Sequence, residues 1–117
     1  MRKTKSKIPI GALVRTAFIQ EAYPELGDDW LAPDVIDEAE FELADLWDCY
    51  VGASAYKSFE EIKKSVDEGL YNFTSIPPST PGVLISAKPY KGKLYYKILF
   101  DRNYWIKSNE IVEIRMI

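Results

Sequence analysis

Gly82-Val83-Leu84-Ile85-Ser86-Ala87, Leu94-Tyr95-Tyr96-Lys97-Ile98-Leu99-Phe100 and Glu110-Ile111-Val112-Glu113-Ile114 are the runs whose reading decides the fold. They concentrate β-branched and aromatic residues, which suit a pleated, half-buried surface. Lys91-Gly92-Lys93 and Asp101-Arg102-Asn103 separate them as turns, and Tyr104-Trp105-Ile106-Lys107 adds one more short strand. Leu94, Tyr96, Ile98 and Phe100 alternate, so a strand here places all four on one face.

Upstream, Ile8-Pro9-Ile10-Gly11-Ala12-Leu13-Val14-Arg15-Thr16-Ala17-Phe18 reads as another strand, with Gly11 marking a bulge or a close backbone approach. Residues 20–33, with Pro24, Gly27 and Pro33 among acids, read as a loop. Asp34 then caps a helix whose apolar positions Ile36, Ala39, Leu43, Leu46, Trp47 and Tyr50 recur at helical spacing. Gly52-Ala53-Ser54 breaks it. Ser58 and Glu61 form a capping box for a second helix over 59–68, which Gly69 terminates, and residues 75–82 read as a proline-rich extended loop. The expected architecture is α+β: a five-stranded antiparallel barrel with a two-helix acidic insertion between strands 1 and 2. Residues 1–117 then form a single domain, comprising a basic tail (1–7), barrel strands (8–18 and 82–117) and the insertion (19–81). Ile10, Leu13, Val14, Phe100 and Trp105 are expected in its core.

The 117 residues are 47% hydrophobic and include 16 aromatics, enough to bury a core. The net charge of −3 hides a segregation. Residues 1–15 carry +5, residues 16–81 carry −12 and residues 82–117 carry +4, and eleven acids fall between Arg15 and Lys57 without one base. Zero histidines and a single cysteine remove the commonest general base, the commonest metal ligand and any internal disulfide. No apolar run is long enough to span a bilayer, and the basic N-terminus lacks the apolar stretch of a secretory signal. A cytoplasmic chain without membrane association is expected.

Ile10-Gly11-Ala12-Leu13-Val14-Arg15, Pro81-Gly82-Val83-Leu84-Ile85, Tyr95-Tyr96-Lys97-Ile98-Leu99-Phe100-Asp101, Trp105-Ile106 and Glu110-Ile111-Val112-Glu113-Ile114 together resemble the SH3-like small barrels, KOW and Tudor-type modules included. More narrowly, they resemble small barrel proteins of tailed bacteriophages. The resemblance covers roughly 45 residues and leaves 19–80 unaccounted for. It implies a phage-encoded accessory or host-regulatory role in the host cytoplasm, and its KOW side implies nucleic-acid binding.

Cys49 sits among acids that raise a thiol pKa, and no histidine exists to activate it, so it reads as structural. Asp28-Asp29 and Asp34 with Glu38 could offer oxygens to a cation, but no metal-binding loop pattern accompanies them. No cofactor, metal site or catalytic residue is expected. Lys88, Lys91, Lys93, Lys97 and Arg102, interleaved with Tyr95 and other aromatics, could form a nucleic-acid face or simply solubilise the barrel surface. Glu38, Glu42, Asp45 and Asp48 would line one face of the first helix, suited to a basic partner protein or to the chain's own lysines. A non-catalytic protein-interaction module is the favoured reading. A nucleic-acid-binding module and a structural virion component remain open, and the sequence does not set the oligomeric state.

Overall fold

Strands β4 (Pro81–Tyr90) and β5 (Lys93–Leu99) form a long hairpin around which the other elements are arranged. The computed structural model describes residues 8–24, 52–70 and 72–114. Lys91 and Gly92 both take positive φ, 48° and 82°, giving the two-residue turn whose twist matches that of the strands it joins. The register runs Val83 to Leu99, Leu84 to Ile98, then slips at Ile85 so that Ser86 pairs with Lys97 and Ala87 with Tyr96. This bulge resets the alternation. Leu84 and Ala87, three residues apart, both face the main core, and Lys88 and Tyr90 are thereby turned outward.

Strand β1 (Leu13–Thr16) lies between β4 and β7 (Ile111–Glu113). On the other side β6 (Asn103–Lys107) pairs with β5, then β2 (Ala53–Tyr56) with β6, and β3 (Thr74–Ile76) with β2. The result is one antiparallel sheet in the order β3-β2-β6-β5-β4-β1-β7 that curls into a half-barrel. Val14, Leu84, Ile98 and Ile106 are fully buried on its inner face, with Ala53, Ala55, Tyr96 and Tyr104 beside them. Gly82 is also directed inward. A Cβ there would lie 2.7 Å from Ile98 Cγ2 and 2.9 Å from the Leu99 carbonyl.

The five-stranded barrel with a two-helix insertion expected from sequence is therefore corrected: the described residues form seven strands and one helix of more than two turns, and the span 19–81 expected as a helical insertion takes part in the sheet. It supplies β2 and β3. Glycine, alanine and serine have weak strand preference, so Gly52-Ala53-Ser54 reads as a break in sequence, yet Ala53 and Ala55 are buried in the core of the sheet. The curl is also not closed by a ladder. Its two edges, β3 and β7, are three residues each, and Thr16 at the end of β1 continues the β1–β4 pairing onto the loop that follows β3. The buried Thr16 hydroxyl donates to the Pro77 carbonyl and accepts from the Thr80 N–H at 2.9 Å. Backbone bonds between Thr16 and residues 79 and 80 complete the junction.

Strand β1 is shorter than the 8–18 expected. Residues 8–12 turn instead, with Gly11 at φ 92° and its N–H donating to the Leu84 carbonyl at 2.7 Å. Val14 is buried, but Ile10 and Leu13 are exposed. After β1 a single helical turn, α1 (Ile19–Ala22), leans on the 3-10 turn Ser108–Glu110.

Helix α2 (Phe59–Glu68) forms where the capping signals place it. Ser58 Oγ accepts from the Glu61 N–H, while the Glu61 carboxylate reaches past the cap to the Lys57 N–H. Gly69 is left-handed, and its N–H returns to the Ser65 carbonyl while that of Leu70 returns to Lys64, which closes the helix with a left-handed cap. Ile62 is buried with Tyr56 and Tyr95, so α2 packs on the outer face of β2, β5 and β6. The acidic helix expected over residues 34–50 lies outside the described residues.

Candidate functional site

Two features gather charged and aromatic side chains. The first is the outer face of the β4-β5 hairpin beside α2. Phe59 is its centre, with edge-on contacts to Tyr90 (centroids 5.5 Å) and Trp105 (5.4 Å). Lys88 Nζ stands 4.3 Å above the Phe59 ring, and Lys97 Nζ lies 6.0 Å from the Trp105 ring, cation–π placements that hold lysines over a surface they also shield. At the turn, the Tyr90 hydroxyl and Lys91 ammonium both donate to Asp67 of α2. Lys91 and Tyr90, in that order, hold the Asp67 carboxyl below its ordinary pKa, and the same carboxylate raises those of both partners.

This arrangement separates the residues singled out in the sequence. Lys88 and Lys93 are exposed on the hairpin, Lys97 is half-buried and Lys91 is engaged by Asp67. Arg102 lies in the β5–β6 turn, at the opposite end of β5 from Lys91 and Lys93. Tyr95 is buried beneath α2, which raises its phenol pKa and leaves no ring face for a base to stack on. The hairpin therefore offers an outward cationic edge, while its outward aromatics Tyr90 and Tyr95 hold α2 and Tyr96 lies in the inner core.

The second feature was not anticipated. Glu110 ends the 3-10 turn and is 5% exposed. Its Oε2 accepts from the Tyr23 hydroxyl at 2.7 Å and its Oε1 from the Ser54 N–H at 3.0 Å. Burial raises its pKa, and the Tyr23 bond, nearby Lys107 and the Ser54 bond oppose that rise. Lys107 Nζ also lies 5.8 Å from the Tyr23 ring. Nearby, Ala17 N–H donates to the Glu110 carbonyl and the Asn109 amide donates to the Ala22 carbonyl. One carboxylate thus holds the residues that flank 25–51 on both sides. No signal in the sequence marks it, because Glu110 sits in the 3-10 turn before the alternation of the last strand begins.

Glu38, Glu42, Asp45 and Asp48, like Cys49, Asp28, Asp29 and Asp34, lie outside the described residues. Among the described residues no three acidic or cysteine side chains converge where they could hold a metal ion. No described helix is long and apolar enough to cross a membrane. Comparison with protein-family models, with curated proteins and with solved structures gives no match, so nothing there links the chain to SH3-like, KOW or bacteriophage proteins.

Proposed function

We propose that the chain is a non-catalytic protein-interaction module whose curled sheet carries the acidic stretch 25–51 toward a basic partner protein. The observation that supports this is the Glu110 junction: Tyr23 and Ser54, on either side of that stretch, meet at a single buried carboxylate. The 27 residues between Pro24 and Gly52 carry ten acids and no base, and a dense charge of one sign speeds encounter with an opposite charge. Anchoring both flanks at one carboxylate fixes where that stretch begins and ends. The Glu38→Gln, Glu42→Gln, Asp45→Asn, Asp48→Asn variant tests the reading in affinity capture at low and high salt. A basic protein held by the native chain and released by this variant, with unfolding unchanged, is the expected result. Capture indifferent to the four substitutions overturns it.

The exposed Lys88 and Lys93 favour one second reading, an anionic polymer on the hairpin edge. Titration with single-stranded RNA at two salt concentrations separates the two, because phosphate contacts make affinity fall steeply with salt. Binding that Lys88→Ala with Lys93→Ala removes, and the acidic variant does not, selects the nucleic-acid reading.

A further inference from the structure

Among the described residues, α2 covers the outer face of the sheet over β2, β6 and the turn-side ends of β4 and β5, and no described element covers β1, β7 and the opposite ends of β4 and β5. There the register sets Leu13 beside Val83 and Val83 beside Leu99, and Leu13 accepts through its carbonyl from the Ile114 N–H. Val14, Leu84 and Ile98, the neighbours of these residues along each strand, point into the core. Ile114, Leu13, Val83 and Leu99 therefore form an aliphatic row across four strands on the outside. Leu13 is 49% exposed and Leu99 41%, with Ile85 of the bulge adjoining at 37%. Isolated exposed leucines need no explanation, but a row crossing four adjacent strands presents contiguous apolar surface of the kind that marks an interface.

We infer that this row is the interface between two copies of the chain, stacked sheet on sheet. The charges around it select this occupant. Near β1 stand Arg15 and Glu21, joined at 2.9 Å; beyond Leu99, in the turn to β6, stand the exposed Asp101 and Arg102. Among these described residues, each end thus carries one cation and one anion. A face built for an acidic or a basic partner carries a rim of one sign, whereas a mixed rim complements a rotated copy of itself. A twofold axis between the two sheets and parallel to their strands lays the Arg15/Glu21 end of one copy over the Asp101/Arg102 end of the other, so that each cation meets an anion. Aligned sheets pack in this way, with facing side chains interdigitating about 10 Å apart. This inference uses neither the acidic stretch nor the lysine edge and is independent of the proposed function.

Sedimentation velocity of the full chain over a concentration series tests it. The native chain is expected to pass from one to two copies as concentration rises. Leu13→Lys with Leu99→Lys should weaken that association by more than about tenfold while leaving the unfolding midpoint in place, since both side chains are already exposed. Should that double variant fail to fold, Asp101→Lys, on an exposed turn, carries the test: it sets a cation against Arg15 of the second copy and should weaken association severalfold, most at low salt. A native chain that sediments as one copy at every concentration, or folded variants that associate as tightly as the native chain, would overturn the inference.

Discussion

Tyr23 and Glu110, 87 residues apart in sequence, are joined by a 2.7 Å hydrogen bond in which the phenol donates to a buried carboxylate. The same carboxylate accepts the Ser54 N–H, so two distant segments depend on one acid. Burial is the largest influence on Glu110 and raises its pKa. A carboxyl whose folded pKa exceeds its unfolded value contributes stability fully present below the unfolded pKa, about 4.3 for a free glutamate, and lost as pH rises through the folded one. Glu110→Gln should therefore flatten the fall in stability above that pH. It retains an acceptor for Ser54 and should change stability at neutral pH by no more than about 1 kcal/mol. Glu110→Ala leaves the Ser54 N–H without its acceptor and should cost about 1–3 kcal/mol. Urea unfolding across the acid-to-neutral range checks both, and a pH profile identical in the native chain and the Gln variant would show that Glu110 does not set it.

Gly82 makes a second prediction. The methyl of Gly82→Ala would have to share space with Ile98 Cγ2 and the Leu99 carbonyl, and one of these is backbone. Overpacking of this kind costs about 1–3 kcal/mol. Ile98→Val, combined with it, should recover part of the loss if Cγ2 is the group displaced, whereas strictly additive losses in the double variant would mean that the backbone moves instead.

The hairpin and helix α2 were legible because their signals are local. Lys91-Gly92 between alternating apolar runs, Ser58 three residues before Glu61, and Gly69 at the helix end each act within a few residues. What escaped depends on contacts far apart in sequence. Ala53-Ser54-Ala55 and Thr74-Ser75-Ile76 are strands because they pair with each other, and Ala55 and Tyr56 join that pair to β6. The slip at Ile85 is likewise invisible to simple alternation, although it decides that Lys88 and Tyr90 face outward. Of the candidate site, the lysines were legible as charge. That Tyr95 would be buried beneath α2, and that Arg102 would lie away from the others, follows from pairing and could not be read from composition.

Thr16 supplies a third prediction, since its hydroxyl joins the end of β1 to the loop after β3. Thr16→Val keeps the shape and removes both bonds. The Thr80 N–H loses its acceptor, while the Pro77 carbonyl keeps the Thr80 hydroxyl as a donor. The expected cost is about 1–3 kcal/mol. Hydrogen exchange should accelerate first at Thr80, and unchanged protection there would mean that the junction is held by the backbone bonds alone.

The docking of α2 rests on Phe59 more than on the exposed Asp67 contacts, because Phe59 alone touches Tyr90, Trp105 and Lys88 together. Trp105, expected in the core, is instead half-buried in this outer cluster. Its truncation should cost less than the roughly 3–5 kcal/mol of a fully buried tryptophan. Phe59→Ala and Trp105→Ala should also be non-additive, with a coupling of about 0.5–1.5 kcal/mol for an edge-on aromatic pair. Loosening α2 uncovers Tyr95, whose phenol is held up chiefly by burial. In Phe59→Ala its titration, followed by ring-carbon resonances, should move down toward the free value of about 10. If Tyr95 titrates as in the native chain while stability falls, α2 remains seated through Ile62 and Tyr56, and the aromatic cluster is an ornament of the docking rather than its cause.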